Sequence, residues 1–293
     1  MSSQRSNTST LSNMKAKTPY LFGTSLIALA TTITTFSAWA QTQTPTQCFN
    51  FSDGSQRMIM GYKGDDPSCP KDVVIPNSVQ EIRYHAFSSS RLTSVVIPNS
   101  VTRIGYSAFA YNQLTSVEIP NSLEELDQGI FAYNKLASVE IPNSVKRIGF
   151  GAFAGNRLSR VVIPNSVTRV SAGAFEQNKL TSVVIPNSVL YIMRNAFAFN
   201  QLTSVMIPNS VQILDDGAFA KNQLTSVVIP NSVNYIGHFA FAYNQLTSVV
   251  IPTSVRSIGK AAFACNPQLA SINMPPLTSD RIAQDAFDVN RCP

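Results

Sequence analysis

The chain has 293 residues, of which 44% are hydrophobic, so it is long enough to build one or two domains around a sizeable core. Its formal net charge is +6, and this falls to +3 without Arg5, Lys15 and Lys17, which precede a predicted cleavage site. The remaining basic residues are scattered and are not interleaved with stacking aromatic residues. This pattern argues against a nucleic-acid-binding protein.

The N-terminal segment has the features of a secretory signal peptide. Basic residues are followed by an apolar run from 21 to 38, and Ala38-Trp39-Ala40 forms a small-x-small cleavage site. Threonine and serine within the run, together with this site, favour a cleaved signal over a membrane anchor. We therefore predict a signal peptide over residues 1–40 and an exported mature protein. We expect it to be extracellular or held at the cell surface, with the periplasm as the alternative.

Beyond a linker and capping segment predicted over residues 41–69, the chain is an array of repeats. The tetrapeptide Ile-Pro-Asn-Ser recurs every 22 residues from Ile75 onward, until the variant Ile-Pro-Thr-Ser begins at Ile251. A fixed period in this range indicates one supersecondary unit stacked on copies of itself. We therefore predict a single elongated solenoid of about ten repeats over residues 70–293, ending in a C-terminal cap.

Residues 92–113 represent the repeat. Alternation of period two before Pro98 predicts a short strand in which Val95 and Ile97 face inward, and the proline ends that strand. The apolar spacing over residues 101–109 predicts a short turn or an irregular helix instead of a second long strand. The predicted fold is thus a right-handed coil with one parallel β-sheet face and an opposite face of short turns or irregular helix.

Two rows of asparagine recur with the same period, one through Asn99 and the other through Asn112. An amide side chain in a turn can satisfy backbone groups that have no partner in a strand ladder. We predict that both rows have this structural role and form ladders along the solenoid.

Four cysteines lie near the two ends of the mature chain. In an oxidising compartment, proximity in sequence favours pairing Cys48 with Cys69 and Cys265 with Cys292, although four cysteines allow three connectivities. A zinc site is the alternative, but neither pair has C-x-x-C spacing or a neighbouring histidine. We expect two disulfides and no metal.

The recurring pattern Leu-x-x-Val-x-Ile-Pro-x-Ser-Val-x-x-Ile-Gly-x-x-Ala-Phe resembles the leucine-rich repeats of the Treponema pallidum type, found in BspA-like surface proteins. The resemblance extends over residues 70–293 and implies a leucine-rich-repeat solenoid. It also implies an extracellular or surface-bound, adhesin-like protein. Its partners would be proteins or glycans, with extracellular matrix or another cell surface as their source.

Recognition is expected at outward positions that vary between repeats. The row through Val96 has two acidic members and then becomes apolar, and the row through Arg103 alternates in charge and then becomes aromatic and aliphatic. We predict a ligand-binding surface where both rows are apolar, at Val184, Leu190, Tyr191, Met206, Ile213, Val228, Tyr235 and Val250. The alternative is that β-branched residues favour a sheet surface and that the aromatic residues cover their neighbours' edges.

Residues suited to catalysis are few. The two histidines, His85 and His238, lie about seven repeats apart, and the neighbouring carboxylates Asp215 and Asp216 fit an exposed turn better than an acid–base pair. A row of threonines through Thr93 suggests ice or crystal binding, but other residues interrupt it. We predict a binding protein without catalytic activity or cofactor, with a structural module of the envelope or periplasm as the alternative.

Overall fold

The computed structural model describes residues 43–275, 281–288 and 292, all within one compact unit, Gln41–Pro293. The predicted signal peptide, residues 1–40, lies outside the described residues. The domain limits therefore remain predictions.

Short strands joined by turns make up nearly all of the regular structure. After a single 3₁₀ turn at Thr46–Cys48, the strands in chain order are β1 Phe49–Phe51, β2 Met58–Tyr62, β3 Asp72–Val74, β4 Glu81–Ile82, β5 Ser94–Val96, β6 Arg103–Ile104, β7 Glu125–Leu126, β8 Arg147–Ile148, β9 Arg160–Val162, β10 Arg169–Val170, β11 Ser182–Val184, β12 Tyr191–Ile192, β13 Ile213–Leu214, β14 Tyr235–Ile236, β15 Ser248–Val250, β16 Ser257–Ile258 and β17 Ser271–Asn273.

The strands stack into two parallel ladders in which each residue pairs with its equivalent in the next coil. The first ladder consists of three separate pairs, β3 with β5, β9 with β11, and β15 with β17. The second ladder runs β2-β4-β6 and then continues as a seven-stranded sheet from β7 to β16. In this sheet Ile192 pairs with Leu214 and Leu214 with Ile236, one period apart. The predicted solenoid is therefore confirmed, with a strand ladder on each of two sides.

The predicted strand is β5, with Val95 inside and both neighbours exposed. The following segment forms a two-residue strand and consecutive turns, and no irregular helix is present there. The physical reason is a left-handed residue in each coil, such as Ser107 at φ 53° or Gly129 at φ 60°. Since left-handed backbone does not continue a right-handed helix, helix-like apolar spacing cannot produce a helix at this point.

A column of phenylalanine rings occupies the core. Consecutive rings are stacked with centroids 5.0–5.9 Å apart, and the last of them stacks on Phe287 at 5.2 Å. The fully buried members are Phe87, Phe109, Phe131, Phe153, Phe175, Phe197, Phe219, Phe241 and Phe263. Because each ring packs between the rings of the adjacent coils, burial of the core depends on stacking.

Buried asparagines run beside this column, and each joins its own coil to the preceding one. The Asn156 amide donates to the Phe131 carbonyl oxygen at 2.9 Å and to that of Phe153 at 3.0 Å. Its Oδ1 accepts from the Leu136 N–H at 3.1 Å. The same bonds recur from Asn112 to Asn266, so this row is the predicted structural ladder.

The prediction for the row through Asn99 is wrong. Its side chains are exposed and make no hydrogen bond with the described residues. The adjacent serine makes the inter-coil contact in several repeats, as where the Ser188 hydroxyl donates to the Val167 carbonyl oxygen at 2.7 Å. The serine hydroxyl thus links the turn to the preceding coil, and the turn is retained where Thr253 replaces the asparagine.

Both predicted disulfides are present, Cys48 with Cys69 and Cys265 with Cys292. At the N-terminal end, the antiparallel hairpin of β1 and β2 joins the second ladder through β4. Tyr62 of this hairpin stacks on Phe87 at 5.2 Å and donates a hydrogen bond to the Pro70 carbonyl oxygen at 2.6 Å. The hairpin therefore shields the first ring of the phenylalanine column.

Candidate protein-binding surface

The most exposed apolar residues of the predicted site form one row along the first ladder. We call this row the outer strip: Val184, Met206, Val228 and Val250. Their side chains are 44%, 84%, 80% and 59% exposed. Each sits next to an inward-facing valine of the same strand or coil, so alternation along the backbone points it toward solvent. The outer strip spans four consecutive coils and is a contiguous apolar surface.

The backbone under the outer strip is incompletely paired. The first ladder stops after β11 and resumes as a single bridge between Val228 and Val250. In the intervening coil, the N–H groups of Val205 and Met206 make no hydrogen bond with any described residue. Backbone donors without internal partners require water or a bound molecule. The equivalent N–H groups of Val117 and Glu118 and of Val139 and Glu140 are unpaired in the same way, so this gap in pairing is not specific to the outer strip.

The remaining predicted residues lie on the second ladder, where Tyr191 pairs with Ile213 and Ile213 with Tyr235. All three side chains are half-buried, as is Leu190. The Arg169 guanidinium lies 5.1 Å from the centre of the Tyr191 ring. Much of each side chain is therefore covered by its neighbours, as expected from the alternative interpretation of this row.

The eight predicted residues are thus divided between two sheets. Within one coil, the Pro-Asn-Ser turn at residues 186–188 separates Val184 from Tyr191. Both ladders direct their alternate residues into the same core, so their outward residues lie on different sides of the coil. The structure joins each row along the solenoid axis but places the two rows on separate surfaces.

Charged residues occupy the equivalent positions in earlier coils. Glu118 and Glu140 replace the apolar residues of the outer strip. On the second ladder, Arg147 donates to Glu125 of the preceding coil and holds the pKa of that carboxyl below its usual range. Glu81 pairs with Arg83 of its own coil at 3.5 Å. The two glutamates therefore interrupt an otherwise apolar row on the first ladder, where Val96 and Val162 are also exposed, whereas the second-ladder row becomes apolar only from Tyr191 onward.

A third surface was not identified as a site from the sequence. It carries exposed aromatic residues at two further repeat positions, Tyr84, Tyr106, Tyr111, Tyr133, Phe150 and Phe199. One groove beside them has a volume of about 270 Å³, and a second of about 430 Å³ lies farther along. The available signal was the recurrence of aromatic residues at the two positions that flank the Ala-Phe pair.

The groups considered for catalysis have structural partners. The His238 Nδ1 accepts from the Lys260 N–H at 2.8 Å, and the His238 N–H donates to Asp216 at 2.8 Å. Asp215 accepts from the N–H of its own neighbour, Asp216, at 2.8 Å. The part of the chain that the structure describes contains no group of three potential metal-ligating side chains among His, Cys, Asp and Glu.

The family model described as BspA type leucine rich repeat region matches residues 68–181 and 170–292 of this chain. No curated protein matches the sequence. None of the described residues form a helix that is long and apolar enough to cross a bilayer.

Among solved structures, a leucine-rich repeat protein from Bacteroides ovatus is 25% identical with a TM-score of 0.61, over 78% of this chain and 66% of that one. This chain thus spans just under two thirds of that protein's length. A leucine rich cell surface protein from Faecalibacterium prausnitzii is 20% identical with a TM-score of 0.45, over 83% and 96% of the two chains. The pneumococcal vaccine antigen PcpA is 18% identical with a TM-score of 0.49, over 80% and 75%.

Proposed function

This chain belongs to the BspA-type leucine-rich-repeat family, and from that premise we propose that it is an exported, adhesin-like protein that binds other proteins through the outer strip. The observation that carries the proposal is the row of four exposed apolar residues on consecutive coils. Exposed apolar surfaces of this kind are typical of protein interaction sites. Methionine is also enriched at such interfaces, and Met206 is the most exposed member.

Met206 and Val228 are the two most exposed members of the outer strip, and side chains of a partner segment can cover both. The second ladder contributes differently, since Tyr191 and Tyr235 are half-buried and held by their neighbours. We assign them a structural role on the separate surface of the second ladder, where each ring covers its neighbours.

Export is supported by the two disulfides, since such bonds persist in oxidising compartments. The proposed location is the extracellular space or the cell surface. The proposed partners are proteins of the extracellular matrix or of another cell surface. Fractionation of the producing cells and of their medium tests the location directly, and recovery only from the periplasm would favour a structural role in the envelope.

The binding experiment uses the purified mature chain against immobilised extracellular-matrix proteins and against the producing cell's own envelope proteins. In one variant, Met206→Gln, Val228→Thr and Val250→Thr are combined, because these changes retain side-chain volume and remove apolar surface. We expect at least a tenfold loss of affinity, about 1.4 kcal/mol or more. The matched control combines Val74→Thr and Val96→Thr, the same position in the first two coils, which are separated from the outer strip by the coils of Glu118 and Glu140.

Equal affinity of the outer-strip variant and the parent for an identified partner would rule out this surface. A second variant, Tyr191→Ser with Tyr235→Ser, separates the contribution of the second ladder. We expect a smaller loss than for the outer strip, since these rings are already covered in the free protein. A larger loss would place the interface on the second ladder instead.

A further inference from the structure

The groove of about 270 Å³ on the third surface has a floor of glycine and alanine residues and walls with aromatic rings. Its floor contains Gly129, Gly151 and Gly173, which occupy the same position in three consecutive coils, so the groove runs along the solenoid axis. A Cβ added at Gly151 would have only the Ala154 Cβ near it, at 3.8 Å. A side chain at this position would therefore project into open space, and its absence keeps the floor low. We call this feature the glycine groove.

Aromatic residues border the glycine groove on both sides. On one side, Tyr111 and Tyr133 are stacked with ring centroids 4.8 Å apart, and Tyr133 reaches over Gly155 of the next coil. On the other side, Phe150 is 57% exposed and belongs to no ring stack among the described residues. Three aromatic side chains thus line a narrow channel and remain accessible to solvent.

The backbone conformation at Tyr111 and Tyr133 does not account for the choice of tyrosine at these positions. Tyr111 and Tyr133 have φ of 58° and 55°, a left-handed conformation that glycine adopts without steric cost. Gly155 occupies the equivalent position in the next coil, with φ of 67°. Gln177, Phe199, Lys221 and Tyr243 have the same conformation at this position in later coils, so the backbone does not require an aromatic residue there.

The glycine groove lacks the backbone groups that an extended peptide would need. The N–H groups of Gly129, Gly151 and Gly173 donate to carbonyl oxygens of the following coil at 2.8–2.9 Å. Those of Tyr111 and Tyr133 do the same at 2.9 Å and 2.7 Å. No free strand edge remains for β-strand addition, which depends on backbone hydrogen bonds.

The polar groups of the groove suit hydroxyl groups. Ser107 and Gln128 lie at one end, and Glu176 lies at the other. The Glu176 Oε1 accepts from Asn195 at 3.3 Å, while Oε2 lies over Gly173, 3.0 Å from where a Cβ would be. No lysine or arginine lines the groove, so it has no cation to pair with an anionic ligand.

We propose that the glycine groove binds a neutral carbohydrate chain lying along the solenoid axis. A sugar ring presents C–H groups on its faces and hydroxyl groups around its rim. The C–H groups pack on the rings of Tyr133 and Phe150, whose faces carry negative electrostatic potential. The hydroxyls donate to the Glu176 carboxylate and exchange hydrogen bonds with Ser107 and Gln128. Because the floor residues have small side chains or none, the carbohydrate can lie close to the protein backbone within a concave site.

The test titrates the mature chain with cellohexaose, N-acetylchitohexaose and mannohexaose, followed by calorimetry and by NMR of the aromatic resonances. We expect at least one of these to bind, and Tyr133→Ala and Phe150→Ala each to weaken that binding by tenfold or more. The matched control is Tyr84→Ala, which removes an exposed aromatic residue from the same surface but outside the groove. It should leave affinity within twofold.

A second variant, Ala154→Leu, fills the groove without removing any group, and it should also abolish binding. Far-ultraviolet circular dichroism and urea unfolding establish that each variant is folded. The proposal is overturned if none of the three oligosaccharides binds at millimolar concentration, or if Ala154→Leu binds as the parent does. It is equally overturned if a proline-rich peptide, and no sugar, perturbs the Tyr133 and Phe150 resonances.

The glycine groove and the outer strip lie on different surfaces and are tested independently. The variant with Met206→Gln, Val228→Thr and Val250→Thr should retain oligosaccharide binding. The Ala154→Leu variant should retain binding to any protein partner of the outer strip. Loss of both activities in one of these variants would contradict separate sites.

Discussion

The interior of the solenoid and its outer strip follow opposite rules. In the interior, the same phenylalanine and the same asparagine recur in coil after coil, and every asparagine makes equivalent hydrogen bonds. Along the first ladder, the outward residue changes from valine to glutamate to methionine, and strand pairing is interrupted twice. Uniform positions hold adjacent coils together, whereas variable positions are released from that requirement and are available for binding.

The largest expected effect comes from interrupting the phenylalanine column. Phe153→Ala removes a fully buried ring that is stacked on Phe131 and Phe175, and we expect a destabilisation of about 3–5 kcal/mol. Urea unfolding measures it, and a second transition is expected where the column is broken, because each coil contacts only its neighbours. The exposed ring of Phe150 is the control, and equal losses in both variants would contradict the distinction.

The asparagine ladder should be nearly as important. Asn156→Ala leaves the buried Leu136 N–H without a partner and removes one of the two asparagine donors to each of the carbonyl oxygens of Phe131 and Phe153. We expect a loss of about 3 kcal/mol, because each unsatisfied buried group costs about 1–3 kcal/mol. Asn143→Ala, in the exposed row, should change the free energy of unfolding by less than about 0.5 kcal/mol. If the two substitutions proved equivalent, the ladder would have no special role.

The outer strip should tolerate polar substitution without loss of stability. Met206 is 84% exposed, so Met206→Gln should alter the free energy of unfolding by less than about 0.5 kcal/mol. Met206 has an equivalent in the interior of its own coil, Leu202, which is fully buried. Leu202→Gln should unfold the coil or destabilise it severely, because it buries an unpaired amide. Comparable thermal midpoints for the two variants would show that the strip belongs to the core.

The smallest expected change in stability concerns Asp72, which links the first two coils of the first ladder. The hydroxyls of Thr93 and Ser94 donate to Asp72 at 2.6 Å and 2.7 Å and hold the pKa of this carboxyl below its usual range. A lowered folded-state pKa contributes stability that is present above the unfolded-state value of about 3.9 and is lost as the pH falls through the folded-state pKa.

Asp72→Asn should therefore be slightly less stable than the parent at about pH 6, and the difference should vanish near pH 2. Urea midpoints of the two proteins across this range measure it. A difference that persists in acid would mean that the contact does not depend on the charge of Asp72.

Much of the fold could be predicted from the repeat. The period, the inward positions of Val95 and Ile97, and both disulfide pairs all follow from spacing along the chain. The second ladder could not be predicted in the same way, because its strands are only two residues long and show too little alternation. The exposed row through Asn99 was misjudged for a related reason: recurrence alone does not distinguish an inward amide from an outward one.

The candidate sites were less accessible to sequence reasoning. Val184 and Tyr191 lie seven positions apart and become apolar in the same coils, which suggested one surface. The turn between them places them on different sheets. The glycine groove combines residues from several coils, and its facing walls come from different coils, Tyr111 and Tyr133 from two and Phe150 from the third.

The sequence by itself determined that identical coils stack, since a unit of this size cannot bury its own apolar residues without its neighbours. It also determined which residues change from coil to coil. Only the tertiary structure decided which of the variable residues lie on the same surface of the solenoid. That outcome depends on the path of the backbone at the Pro-Asn-Ser turn and at the left-handed residue of each coil, where a few dihedral angles direct neighbouring rows to different surfaces.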